Sequence, residues 1–191
     1  VRLSFLSTLI GAALLATVTS ASATTTVALD PDHTSVQFTV THLLISRVSG
    51  SIPLATSRLV IDSHHTPLAA KATFNLRGIT TEDARRDADL RGDKWFDVAE
   101  YPTMSFRSTT IVPGAGHTFT LRGLLTLHGT TAPIVLHGLY TGKARDPYGH
   151  VHLGYSASGQ LNRTTWGIGH VPAALVSEKV DLTIQAEAIE K

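Results

Sequence analysis

The chain has 191 residues, no cysteine, and 16 Lys and Arg against 15 Asp and Glu. Phosphate binding needs a basic surplus on one face, so this balance argues against a nucleic-acid partner, and no polybasic run suggests anionic lipid headgroups. Without cysteine the fold must hold by burial alone and has no thiol chemistry.

Residues 1–23 read as a secretory signal peptide, with Arg2, an apolar stretch from Leu9 to Val18 and Ala21-Ser22-Ala23 as the A-x-A cleavage site. That stretch is well short of the roughly 20 residues that span a bilayer, so no stable membrane anchor is expected. Cleavage after Ala23 would leave residues 24–191 as one domain, delivered to the periplasm or secreted.

Beyond the leader, apolar side chains alternate with polar ones, the pattern of half-buried strands. Val36, Phe38 and Val40 share one parity; so do Leu68, Ala70, Ala72, Phe74 and Leu76. One helix is predicted between these and the next alternation: Thr80 or Thr81 would cap it, Glu82 and Asp83 suit its positive end, and Gly92 would stop it. Met104 with Phe106, Phe119 with Leu121, and Val180 through Ala188 then resume the alternation. Pro113-Gly114-Ala115-Gly116, His128-Gly129 and Asp146-Pro147-Tyr148-Gly149 mark turns. Strands so spaced, without helices between them, indicate an antiparallel sandwich or barrel.

The inward parity is rich in small residues: Ala70, Ala72, Ala157, Ala186 and Ala188. Such positions either let sheets pack tightly or leave a lumen, and parity alone does not choose between them.

Chemistry-bearing motifs are sparse. His64 and His65 would point to opposite sides of a strand, while His150 and His152 would share a face; no carboxylate or third histidine is visibly placed to complete a metal shell, and none is expected. No G-x-S-x-G elbow or phosphate-cradling loop is present. His42, Asp87 and Ser46 could be drawn as a triad, but sequence does not place them within reach of one another. Arg85 to Pro102 stands apart, with Arg85, Arg86 and Arg91 beside Asp87, Asp89 and Asp93 ahead of Trp95 and Phe96. It reads either as a helix laced by exposed ion pairs or as a cover whose arginine meets an anionic or carbonyl head.

Four ordered segments resemble the YceI-like polyisoprenoid-binding family. Arg86-Asp87-x-x-Leu90-Arg91-x-x-x-Trp95-Phe96-Asp97-Val98-x-x-Tyr101-Pro102 is similar to its central R-D-x-H-L-R-S-x-D-F-F-D-V-x-x-Y-P. Asp32 to Leu43 with Val48-x-Gly50 looks like its opening strand pair, Leu124 to Pro133 like its G-x-L-T-x-x-G-x-T-x-P hairpin, and Leu161 to Ile168 like its I-N-R-x-x-F-G-I segment. The resemblance covers residues 27–189. It implies an all-β fold, a single extended antiparallel eight-stranded lipocalin-like barrel with one helix near the mouth. It also implies an exported carrier of an isoprenoid quinone, polyprenyl phosphate or similar lipid, with no enzymatic activity and no required cofactor.

On that footing His42, Arg86, Asp87, Arg91, Trp95 and Phe96 are the expected mouth residues. Val36, Phe38, Val40, Phe74 and Met104 are expected on the apolar lining, as are Phe106, Phe119, Leu121 and Trp166. Departures stand at Asp89, where the family has His, at Gly92 for Ser, and at Lys94-Trp95-Phe96 for Asp-Phe-Phe. A carboxylate at Asp89 would disfavour a pyrophosphate head if it faces the ligand. A homodimer stays open, as do a lipid-ester hydrolase with His42 or Asp87 as base and a secreted stress or interaction protein.

Overall fold

A computed structural model describes residues 23–190. The expected signal peptide therefore lies outside the described residues, apart from Ala23. Ten strands follow in chain order: β1 (Thr25–Leu29), β2 (Ser35–His42), β3 (Ser46–Ile52), β4 (Leu54–Ile61), β5 (Pro67–Asn75), β6 (Thr103–Pro113), β7 (Thr118–Leu127), β8 (Thr130–Arg145), β9 (Val151–Asn162) and β10 (Lys179–Glu190). Helix α1 (Ala84–Arg91) lies between β5 and β6.

All pairings between these strands are antiparallel, and they form eight staves rather than ten. β1 and β2 lie end to end along β10: Leu29 sits opposite Ala188, and Ser35 opposite Gln185. β3 and β4 likewise form one line beside β2 and β1, broken at Pro53, which has no N–H to give to a ladder. Because β1 pairs with both β4 and β10, the sheet closes into an eight-stranded barrel. Eight staves give an interior that side chains can just fill or that can hold one small ligand.

Period-two alternation survives except where bulges interrupt it. Leu68, expected inside, is 45% exposed, because the register between β4 and β5 shifts between Val60 and Ile61. Pro67 is buried on one side of that shift, and the inward series resumes at Ala70.

The helix differs from expectation at its start. Asp83 caps it, accepting from the Arg85 and Arg86 amides at 3.1 and 3.0 Å, while Thr80 and Thr81 turn their hydroxyls to Asp87. Gly92 ends it. β5 does not run on beside β3; instead Thr80 exchanges two backbone hydrogen bonds with Ser51, at 2.8 and 3.1 Å, so the chain leading into α1 extends the wall there. This end of the barrel carries residues 76–102, the β2–β3 and β7–β8 turns and the 163–178 loop. The opposite end carries the β4–β5, β6–β7 and β8–β9 turns.

Gly50 is where wall and cover meet. A methyl group on it would overlap the Phe38 ring and lie 2.7 Å from the Thr80 carbonyl oxygen. Gly50→Ala is therefore expected to destabilise the protein by about 1–3 kcal/mol through overpacking. In urea the unfolding midpoint should fall with an unchanged slope, and the Thr80 amide should exchange faster with solvent.

Candidate functional site

The barrel interior holds a cavity of about 380 Å³, inside the roughly 300–1,000 Å³ range of ligand pockets. Every stave contributes apolar side chains to its wall. Val36, Phe38 and Val40 face it from β2, Phe74 from β5, Met104 and Phe106 from β6, and Phe119 and Leu121 from β7. Sequence reasoning did not single out Ile134 and Leu136 of β8, which also face it. Leu182 and Ile184 of β10 had shown the right parity only. The lumen exists because inward positions are small: Ala70, Ala72, Ala157 and Ala186 all line it, each leaving space that a leucine would fill.

The cavity has a floor and a mouth. Toward the end away from α1, Ile61, Pro67, Leu153 and Ala188 are almost fully buried, so the barrel is filled there. Ala188, expected beside a lumen or in tight packing, belongs to this filled part. Tyr155 stands at the boundary, its hydroxyl donating to the His65 carbonyl at 2.9 Å, and burial pushes its ionisation well above the ordinary tyrosine value.

Polar groups reach the cavity mainly at the helix end: His42 from the close of β2, Thr81 and Arg86 from the cover, and Asp89 from α1. Trp95, Phe96 and Leu90 close over the lumen beside them. Arg86 donates from Nε to the Thr81 hydroxyl at 2.7 Å and from Nη2 to the Thr81 carbonyl at 3.0 Å. Its Nη1 meets only the half-exposed Asp83 carboxylate, at 4.0 Å. Asp89 does face the cavity, so a carboxylate stands among the lining residues together with the Arg86 and Arg163 guanidinia.

Three expected site residues lie elsewhere. Asp87 is buried in the cover, where its carboxylate accepts from the Thr81 hydroxyl (2.6 Å), the Thr81 amide (2.7 Å) and the Thr80 hydroxyl (3.0 Å). Arg91 turns back to donate to the Ile79 carbonyl at 3.0 Å. Trp166 packs behind the wall, its indole N–H donating to the Leu125 carbonyl at 3.1 Å. Each donates or accepts a hydrogen bond away from the lumen, although the Arg91 Nε is left buried without a partner. The drawn triad does not form: Asp87 is taken up by the threonines, and the Ser46 hydroxyl donates to the His42 backbone carbonyl.

Arg163 is the site residue that sequence reasoning missed. It borders the cavity at 3% exposure, and its guanidinium donates to the carbonyls of Ile168, Gly169, Val171, Val176 and Ser177. These bonds gather the loop between η-turn Arg163–Trp166 and β10 around one side chain. Trp95 lies over the same guanidinium at 5.9 Å, and its ring covers Gly169, where a methyl would not fit. Its polar neighbours Gln160, Asn162, Thr164 and Thr165 gave no sign of burial, and its acceptors are backbone carbonyls that no side-chain pattern displays.

The far end holds the paired histidines His150 and His152. His150 and His152 both meet Asp146, at 3.0 and 3.2 Å, and His152 also meets Glu187 at 2.6 Å; the carboxylates that sequence could not place are thus in contact with them. Asp30 and His33 pair beside Glu187. Glu187 and Asp146 raise the pKa of His152. These groups satisfy one another directly and lie across the filled part of the barrel from the mouth.

The model of the YceI-like domain matches residues 28–188. The chain belongs to the YceI-like family. A UPF0312 protein of Pseudomonas savastanoi pv. phaseolicola is 31% identical over 185 residues, covering 95% of this chain and 94% of its own. The crystal structure of a Campylobacter jejuni YceI protein superposes with a TM-score of 0.68 at 26% identity, over 79% of this chain and 90% of its own. A polyisoprenoid-binding domain from Saccharophagus degradans, implicated in plant cell wall breakdown, shares the fold with a TM-score of 0.59 at 12% identity, over 86% of this chain and 98% of its own.

In this YceI-like barrel the sequence segments that resembled the family meet around the mouth. The β2–β3 turn, the cover, the β7–β8 turn and the Arg163 loop touch one another there: Trp95 covers Gly169, Tyr101 meets His128 edge-on at 4.9 Å, and the His128 ring meets the Trp166 carbonyl at 3.1 Å.

The cover should respond to acid through Asp87. Hydrogen bonds from Thr81 and then Thr80, with the nearby Arg91 charge, hold its carboxyl below the ordinary aspartate value. A depressed folded-state pKa stabilises above the unfolded value, near pH 4, and that contribution is lost as pH falls through the folded value. The stability gap between the protein and Asp87→Asn, measured by urea unfolding, should therefore be wider at pH 5 than at pH 2.5. An equal gap at both would mean that the Asp87 charge is not what holds the cover.

Proposed function

We propose that this protein is a binding protein, without catalysis, for a long-chain isoprenoid lipid whose tail lies in the barrel and whose head stays at the mouth. The observation that carries this reading is the lumen itself: apolar on all eight staves, floored at one end and polar mainly at the other. The polyisoprenoid-binding domain that shares the fold supports it. The signal-peptide pattern supports export to the periplasm or beyond.

Apolar transfer is sufficient in magnitude. Each buried CH2 contributes about 0.8 kcal/mol, so a five-carbon unit contributes roughly 4 kcal/mol before ordering losses. Micromolar binding needs about 8 kcal/mol, which a few well-buried units supply. The head then sets orientation more than affinity. With the Asp89 carboxylate on the cavity wall, and the Arg163 guanidinium already taken up by backbone carbonyls, the mouth favours a neutral head, such as a quinone, over a pyrophosphate, whose charges the carboxylate would repel.

Organic extraction of the purified protein followed by mass spectrometry is expected to recover an isoprenoid. A quinone probe should quench tryptophan fluorescence through Trp95 at the mouth. Recovery of no lipid, together with no quenching, would end the carrier reading. Ala157→Trp places an indole in the lumen and should weaken probe binding at least about tenfold, with the fold retained by circular dichroism.

A further inference from the structure

The turn joining β2 and β3 presents Leu43, Leu44 and Ile45 to solvent at 47, 71 and 86% exposure. The chain reverses in a hydrogen-bonded turn, with the Ile45 amide donating to the His42 carbonyl at 3.2 Å. Leu43 and Leu44 both adopt left-handed backbone, with φ of 52° and 63°. The ladder pairs His42 with Ser46, so the loop is Leu43–Ile45, and a bulky leucine at a left-handed position is strained where Gly or Asn is favoured. Glycine or asparagine would serve these two left-handed positions better, so the leucines answer to something other than the fold.

This tip adjoins the mouth. The Leu43 amide donates to the Leu175 carbonyl at 2.9 Å, and His42 bridges to Val176. Leu175 is itself 45% exposed, while Val40, Val48 and Val176 line the cavity just behind. The exposed tip and Leu175 thus adjoin the apolar mouth of the lumen. The other large exposed apolar residues among those described, Leu68, Val112, Leu139 and Tyr148, lie toward the far end.

We infer that the Leu43–Ile45 tip, with Leu175, docks the mouth onto the interface of a zwitterionic phospholipid bilayer. This deepens the carrier reading, since a nearly insoluble ligand must be collected from and returned to a membrane. A second copy of the chain is the poorer occupant: at their exposures the four residues offer roughly 450 Å², against about 800 Å² per partner in a standard interface. Arg47, the one Lys or Arg within four residues of the tip along the chain, is bound to Asp181 at 2.7 Å. Docking therefore relies on shallow apolar insertion rather than on anionic lipid, and it is weak and reversible.

Delipidated protein is mixed with phosphatidylcholine vesicles that contain no isoprenoid, so the result stands whether or not the ligand reading does. In Leu44→Trp, the emission of the new indole, taken as the difference from the unsubstituted protein, should shift to the blue and be quenched by brominated phosphatidylcholine. Added salt should not reverse it. The double variant Leu44→Asp, Ile45→Asp should lose at least about tenfold in vesicle partitioning while its solution affinity for a quinone probe stays unchanged. An indole that remains solvent-exposed on vesicles, partitioning that survives the double variant, or a blue shift that instead follows protein concentration without vesicles would overturn the inference.

Discussion

A sheet that must leave no free edge constrains everything else in this molecule. Closure depends on β1, five residues long, finding β4 on one side and the end of β10 on the other. Once the eight staves are locked into a ring, their inward side chains face a space of fixed width. Whether that space fills is then decided residue by residue. Leucine, isoleucine and proline fill the end near Tyr155, while alanines on β5, β9 and β10 leave the other part open.

The open end creates a second problem, because an apolar lumen exposed to water needs a cover and the cover is made of irregular chain. Most of its charged groups find partners within the molecule, though Arg91 keeps a buried Nε without one. Asp87 gathers two threonines, Arg86 and Arg91 return to carbonyls of the same segment, and Arg163 binds five carbonyls of the facing loop. Most of the cover's charge therefore serves to hold an irregular segment in place. What remains toward the lumen is His42, Asp89 and the free edge of Arg86, a rim able to orient a head without trapping a strongly charged one.

Much of the fold was legible because strand alternation is a local property. Val36-Phe38-Val40 and Phe119-Leu121 were assigned to a common face from spacing alone, and both sets face the lumen. Leu68 failed for a reason spacing does not carry: the shift opposite Val60 and Ile61 is a property of two strands, visible only when they pair. Asp87, Arg91 and Trp166 lie in motif segments but serve the scaffold around the mouth, and a shared motif does not separate a residue that touches a ligand from one that holds the residue that does. Arg163 shows the converse, a motif residue bordering the cavity whose partners are backbone carbonyls that no side-chain pattern displays.

The central claim is that the lumen, and not the rim, supplies affinity. Titration calorimetry with isoprenoids that share one head and differ in length reads this directly. Affinity is expected to climb with each added unit until the cavity is full and then level off, with the heat-capacity change growing more negative over the same range. An affinity that follows the head group and ignores chain length would contradict a tail held in the barrel.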